Sequence, residues 1–578
     1  MSTQHREHPT HWTTPFPRIP AGHRWILALC AALSIWACTT TSQAQQLTNG
    51  GNHDGTILLH ETNTWTFTAT TGDTLVLRAG RVSGDPNFNP WLRIYDPSGN
   101  LVESNPSGTA NTVTELELSA PATGTYSLQI SDGTFGQNND RGSYRLYFLR
   151  LPGAPVIADE GGPMTNGGNH DGVIEVGDLD LWTFSGERGD KIVLRSGRLS
   201  GDPNFNPWLR LYDQSGVVVA ATASATAVSA VEISLTLTNT GTFTLLIADS
   251  TSGRADDQGE YRLQFARLPG SLTVADDGGI LTSGDNRGGR ITLGDLDPWT
   301  FTAEAGDRVI LRSARPGDEA NFNPWMRLYN AAGDLVADTG SGSLDSTREI
   351  AQVVTNSGVF TVLLSDGSSG GYDQVGDYRI YFVKIPGRVV DGEDSGMLTN
   401  GVAVSAVMER GDLDTWQFLA CREAALTLRL ERLSTVNNFN PQLDLYGPGG
   451  VAVASRVGAA AIELSLFATN GGIYTVVVRD TVSGGYDGTG TYRIVATGIL
   501  SDELQLCQPL VQGSNVNVAA IGGQPNAEAV LFTSPSLEQD RNLWTPLHTN
   551  RFDATGVLSV TNLPYLADPQ RYYYLLQR

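Results

Sequence analysis

Four Asn-Phe-Asn-Pro blocks begin at Asn87, Asn204, Asn321 and Asn438, and the step between successive blocks is 117 residues. Trp65, Trp182, Trp299 and Trp416 keep that step, as do Leu47, Met164, Leu281 and Leu398, and Arg78, Arg195, Arg312 and Arg429. A period this long belongs to whole domains, because solenoid units repeat every ~20–50 residues and domains cluster near ~100–150. The spacing predicts four tandem copies of one domain, at 45–155, 156–272, 273–389 and 390–506, followed by a smaller module at 507–578.

The residues before the first copy read as a leader. Arg18 and Arg24 precede the apolar run Trp25 to Ala37, and Ser42-Gln43-Ala44 offers small residues where a signal peptidase cuts. The expectation is a signal peptide over 1–44, with export to the medium, cell surface or periplasm. Lipidation at Cys38 is the alternative, and bulky Trp36 opposes it. The run falls short of the ~20 residues a membrane-spanning helix needs, and no second apolar span follows. Cleavage removes Cys30 and Cys38, so Cys421 and Cys507 remain, free to bridge or stay as thiols in an oxidising compartment. It also removes three of the 38 basic and one of the 61 acidic residues, leaving a net charge of −25. Such a field repels nucleic acid and anionic membranes.

Within each copy the apolar period is two. Tyr126, Leu128 and Ile130 alternate with polar residues, as do Phe243, Leu245 and Ile247, then Phe360, Val362 and Leu364, then Tyr474, Val476 and Val478. That is the pattern of a strand buried on one face. Gly, Asp and Asn bound the runs, and no segment carries the 3.6 period of an amphipathic helix. The fold class expected is all-β, with four tandem jelly-roll-like β-sandwiches and a small C-terminal β domain. In that last module, Asn515 to Ala519, Ala529 to Thr533 and Gly556 to Val560 read as strands.

Gly177-Asp178-Leu179-Asp180, Trp182-Thr183-Phe184, the turn at Gly189-Asp190, Leu209-Arg210-Leu211-Tyr212-Asp213 and Gly259-Glu260-Tyr261-Arg262-Leu263 follow one another in this order. Together they resemble the bacterial pre-peptidase C-terminal domain, and the resemblance extends over about residues 45 to 500 in four copies. It implies jelly-roll sandwiches appended to secreted peptidases and other exported proteins, similar to the collagen-binding modules of clostridial collagenases. Some relatives bind calcium where the domain begins. The family's opening Glu-Pro-Asn-Asn motif is replaced here by Asp159-Glu160-Gly161-Gly162 and Asp276-Asp277-Gly278-Gly279.

The acids are suited to calcium on their own chemistry, since Ca²⁺ takes six to eight oxygens. Asp159 and Glu160, Asp276 and Asp277, and Asp394 lie in the linkers, while Asp178 and Asp180, Asp295 and Asp297, and Asp412 and Asp414 open the units that follow. In the competing reading the second Asp of each pair caps a turn by accepting backbone N–H bonds. The first unit carries Glu61 and Asn63 instead.

The recurring phrase Asn-Pro-Trp-Leu-Arg-Leu-Tyr has two faces. Pro holds the preceding Asn extended, and the strand that follows puts Leu92 and Ile94 on one side and Trp91, Arg93 and Tyr95 on the other. Phe88, Phe205, Phe322 and Phe439 are expected in the core. The fourth copy has Gln442 and Asp444 on the Trp/Arg side, so that side is expected to be less central to the fold than the Phe side. Trp91, Trp208 and Trp325, with Arg93, Arg210 and Arg327, are therefore candidate platforms for stacking on sugar or peptide, the alternative being packing against Arg or Tyr.

Catalytic signals are sparse. After the leader the His are His53, His60, His170 and His548, with no His-Glu-x-x-His pattern. Gly367 to Gly371 matches the hydrolase elbow only in letters, without the strand–turn–helix context. The expectation is a non-catalytic exported protein presenting repeated modules to an extracellular polysaccharide or matrix-type protein. Alternatives are a ligand-free stalk or assembly component, and an accessory chain of a secreted peptidase.

Overall fold

Period-two runs become strands, and two outward sheet faces per repeat decide how the repeats meet. The computed structural model describes residues 44–578 except 106–111, 134–137, 223–227, 250–255, 318–320, 341–345, 368–371, 391, 393, 436–438, 482–485, 501–502, 554–555 and 565–569. The expected leader, Cys30, Cys38, Asn438 and most of Gly367–Gly371 lie outside the described residues.

The second repeat serves for all four. One sheet orders its five strands as Gly161–Pro163, Asp180–Gly186, Gly241–Asp249, Pro207–Tyr212 and Val218–Ala221. Its first pair is parallel and the rest are antiparallel. The other sheet orders Asn169–Ile174, Gly259–Leu268, Lys191–Arg198 and Ala230–Thr236. Their inner faces enclose one core, including Trp182, Phe184, Ile192, Leu194, Phe205 and Tyr261. The other three repeats reproduce this five-on-four pairing, each with its own core. The chain is all-β, with four sandwich-like sheet pairs and a smaller β module; among the described residues no helix is long and apolar enough to cross a membrane.

The Phe of the repeated phrase is buried in every copy. The Asn preceding Pro is fixed through its backbone: the N–H groups of Asn89, Asn206, Asn323 and Asn440 donate to Asp132, Asp249, Asp366 and Asp480 at 2.7–3.2 Å. Trp65, Trp182, Trp299 and Trp416 are core, each donating its indole N–H to a Tyr hydroxyl at 2.8–3.0 Å.

The C-terminal module packs a sheet of Gln505–Leu506, Leu510–Gln512, Asn515–Ile521 and Leu558–Pro564 against one of Glu528–Ser534, Thr545–Arg551 and Tyr572–Gln577. Thr545–Arg551 is a strand where the sequence suggested a connection. It is an almost wholly exposed edge, so it carries none of the apolar alternation that marks the others. The module sits on the fourth sandwich through Leu419, Ile473, Cys507 and Ile521, and a disulfide joins Cys421 to Cys507. Replacing Cys421 by Ser is expected to reduce the module's stability by about 4 kcal/mol on the chain-entropy model. Limited proteolysis of the variant should release a fragment from the tail before the sandwiches are cut.

Candidate functional site at the repeat junctions

The side of the phrase that faces away from the core does not face water in the interior of the array. Trp208, Arg210 and Tyr212 of the second sandwich lie on the outward face of the five-stranded sheet, which meets the outward face of the first sandwich's four-stranded sheet. Val76, Tyr147, Leu149 and Leu151 on one side and Leu179, Leu181, Tyr212, Leu246 and Ala248 on the other form one buried cluster. Equivalent clusters join sandwiches two and three through Val193, Ala266, Leu296, Tyr329 and Leu363, and three and four through Ile310, Val383, Leu413, Tyr446 and Val477.

Each apolar junction contains a buried ion network. Arg78, on the outward face of the first sandwich, is 1 % exposed; it pairs with Glu115 at 2.7 Å and donates to the Asp249 carbonyl of the second at 3.2 Å. From the second sandwich, Arg210 reaches Glu115 at 2.7 Å and Glu117 at 2.8 Å. Arg195, Glu232 and Arg327 repeat the triad at the next junction, and Arg312, Glu349 and Arg479 at the third. Burial alone would raise the pKa of Glu115, Glu232 and Glu349, but the two arginines at each outweigh it and hold the carboxyl below the usual Glu range.

The candidate platforms Trp208, Trp325, Arg210 and Arg327 thus require correction. Each guanidinium stacks over the Trp of its own strand, at 4.0 Å for Arg210 and 4.2 Å for Arg327; Arg210, Arg327 and Trp325 are buried, while Trp208 is half-buried at the edge of the cluster shared with the preceding sandwich. Trp91 and Arg93 make the same stack at 4.3 Å; among the described residues no sandwich lies against them, and both are half-buried. The Gln442 and Asp444 of the fourth copy are also explained. Asp444 has lost the guanidinium, and Arg479 on the neighbouring strand supplies it, bound to Asp444 at 2.7 Å and to Glu349 at 2.9 Å. The third junction thus has the same Arg–Glu–Arg network with one guanidinium supplied from the adjacent strand.

Left-handed tyrosines complete two of these joints. Tyr372 and Tyr486, at φ 55° and 54°, lie against Arg195 and Arg312 of the preceding sandwich at 4.5 and 4.2 Å. A bulky residue at positive φ is strained, and the cation–π contact offsets that strain. The matching position of the first sandwich is Asn138.

Beside each junction lies an acidic cluster. Carboxylate oxygens of Asp159, Glu160, Asp178 and Asp180 lie within 4.8 Å of one another, as do those of Asp276, Asp295 and Asp297, and of Asp394, Asp412 and Asp414. Asp277 is not drawn in; its carboxylate accepts the Arg290 N–H at 2.7 Å. The preceding sandwich holds the linker acid, with Asn52 donating to Asp159 at 2.7 Å and Asn169 to Asp276 at 3.1 Å. Turn capping falls to the first Asp of each pair rather than the second: Asp178, Asp295 and Asp412 accept the next residue's N–H at 2.8–2.9 Å. The second Asp sits deeper, beside the hydroxyl bonded to the core Trp, and Tyr261 donates to Asp180 at 2.6 Å.

Asp180 and Asp297 are fully buried, and Oδ1 of each lacks a hydrogen-bond partner among the described residues. Burial, then the neighbouring acids, push Asp178 up to about 7 and Asp297 up to about 10, and burial lifts Asp412 to about 6. Buried carboxylates with orphaned oxygens and only oxygen donors nearby fit a hard cation such as Ca²⁺. In the first sandwich Asn63 occupies the Asp180 place, its amide donating to Tyr144 at 3.2 Å; the neutral side chain needs no cation.

His53 and His170 are structural. Each accepts a backbone N–H, from Thr48 and Thr165 at 2.9 Å, and meets a core Trp edge-on. Burial lowers the pKa of both.

Residues 61–132 match the bacterial pre-peptidase C-terminal domain family. No curated protein matches the chain. Among solved structures, the pre-peptidase C-terminal domain of a Bacillus anthracis collagenase aligns at 16 % identity over 18 % of this chain and 95 % of its own, with a TM-score of 0.15. A GH2 beta-galacturonidase from Eisenbergiella tayi aligns at 12 % identity over 29 % of this chain and 33 % of its own, with a TM-score of 0.11, so the chain spans about a third of that enzyme. A BSP domain of a biofilm associated protein aligns at 9 % identity over 74 % of this chain and 96 % of its own, with a TM-score of 0.13.

Proposed function

We propose that this chain is an exported, non-catalytic spacer whose four sandwiches are locked in fixed mutual orientation, with Ca²⁺ held at each of the three junctions. The observation that carries this reading is the recurrence of an Arg–Glu–Arg network within an apolar contact at every joint between sandwiches. Flexible strings of domains have small polar interfaces; here each joint buries charges that only a fixed geometry keeps paired. Asp159, Glu160, Asp178 and Asp180, and their counterparts, would hold the ion between linker and sandwich. Bound there, it would neutralise acids that otherwise repel one another and tie the linker down. Small-angle scattering of the full chain tests the reading. A maximum dimension independent of ionic strength and sharpened by Ca²⁺ supports it, whereas a broad distribution in both conditions refutes it.

One observation favours a second reading, adhesion to an extracellular polysaccharide or matrix-type protein. Among the described residues no other sandwich lies against Trp91, Arg93 and Tyr95, all half-buried, and no carboxylate pairs with Arg93. A glycan and matrix-protein array probed with the whole chain would show a ligand that Trp91→Ala loses by about tenfold or more, in line with removal of a stacked aromatic anchor. Equal binding by the variant would remove this face from consideration.

A further inference from the structure

The three internal junctions define what a fourth would look like. Each joins the four-stranded sheet of one sandwich to the five-stranded sheet of the next. Among the described residues, the five-stranded face of the first sandwich and the four-stranded face of the fourth meet no other sandwich. These are the two halves of a heterologous contact, which grows into a filament unless the rotation closes or something stops it. The natural partner of either end is a second copy of this chain.

Both ends have lost the apolar part of the contact. Where the second sandwich has Leu179, Leu181 and Leu246 buried against its neighbour, the first has Thr62, Thr64 and Gln129, exposed or half-buried. Where the first three sandwiches bury Val76, Val193 and Ile310, the fourth has Thr427, and where they bury Leu149, Ala266 and Val383, it has exposed Thr497. Arg78, Arg195 and Arg312 are almost wholly enclosed, yet Arg429 is 58 % exposed and turns to Glu431. The left-handed Tyr that clamps the neighbour's Arg is Asn138 in the first copy. The polar half survives: Trp91, Arg93 and Tyr95 at one end, and Arg429 with Glu463 at the other, paired in register across strands as Arg312 is with Glu349. The C-terminal module does not account for the closed end, because it docks on Leu419 and Ile473 of the five-stranded sheet.

We infer that these substitutions are a built-in stop, which keeps the four-sandwich chain from adding head to tail to another copy of itself. Repeat arrays need terminal units with a polar outer face, and here the polar residues fall at the positions where the internal joints are apolar.

Three full-length proteins test this by sedimentation velocity: wild type, a leading-face variant Thr62→Leu/Thr64→Leu/Gln129→Leu, and a trailing-face variant Thr427→Val/Thr497→Leu. The expected result is that each alone sediments as a monomer up to about 100 μM, a concentration that reveals even weak association. Mixed, the two variants should form a one-to-one heterodimer, and adding Arg93→Glu to the leading-face variant should abolish it. Circular dichroism and thermal melting establish that each variant is folded before it is mixed. Three results would overturn the inference: wild type assembling through these faces, folded variants that stay monomeric when mixed, or either variant pairing with itself.

Discussion

Glu232→Ala should destabilise the joint between the second and third sandwiches by roughly 3–5 kcal/mol, the cost of leaving buried charge unpaired. Glu232 is 4 % exposed on its side chain and accepts from both Arg195, at 2.6 Å, and Arg327, at 2.8 Å. Its removal strands two guanidiniums that are 1 % and 3 % exposed. Calorimetry of the full chain should show a single broad unfolding event splitting, with sandwiches one and two separating from three and four. Glu463→Ala, at the matching position of the open face, should change stability by no more than about 0.5 kcal/mol. The two glutamates stand at equivalent places in equivalent sheets, and only Glu232 is enclosed with two arginines by a following sandwich. Exchanging the whole triad for apolar residues, Glu232→Leu with Arg195→Met and Arg327→Leu, should recover most of the loss, since such replacements are often neutral. Equal effects of Glu232→Ala and Glu463→Ala would show that the junction contributes nothing.

The second large effect is on pH dependence and cation binding. Asp178 and Asp412 have folded-state pKa values of about 7 and about 6, above the ~3.9 of an unfolded Asp. A carboxyl whose pKa is raised by folding stabilises fully below its unfolded pKa, and that contribution is lost as pH climbs through the folded value. Chelator-treated protein should therefore lose stability between about pH 4 and pH 7, with Asp178 alone accounting for something on the order of 4 kcal/mol. Ca²⁺ binds the ionised form, so in its presence the slope should reverse and stability should hold at pH 8. At a concentration one hundred times its Kd, one ion contributes about 2.7 kcal/mol. Asp180→Asn imitates Asn63 of the first sandwich. It should stabilise the chelated protein at pH 8 and remove that junction's response to Ca²⁺. A wild-type melting temperature indifferent to both chelator and Ca²⁺ would exclude the cation.

Much of the architecture was legible before any coordinates. The constant step located four copies, period-two alternation named the inward Tyr-Leu-Ile runs, and the repeated phrase named Phe88 and its counterparts; all are buried where the pattern put them. The acids in the linkers and at the start of each copy were recognised as a group, though not the exclusion of Asp277 or the exchange of roles within each Asp pair. The outward faces were less legible. Arg78, cited only for its spacing, is almost wholly buried at a junction, and of the two readings of Trp208 and Trp325, stacking platform or packing against Arg, the structure has the packing.

The reason lies in what each signal measures. Alternation along one strand reports whether a side chain faces its own sheet's partner, a local property of backbone geometry, so the sequence alone determined the repeats, their sheets and their cores. Whether the opposite face meets water or another domain depends on residues far away, as Arg210 meets Glu115 across 95 positions and Arg78 meets the Asp249 carbonyl across 171. Only the tertiary structure decided that, because docking two finished sheets sets those pairs. Arg479 standing in for the guanidinium lost at Asp444 shows that the joint selects a charge at a point in space, not a residue at a place in the chain.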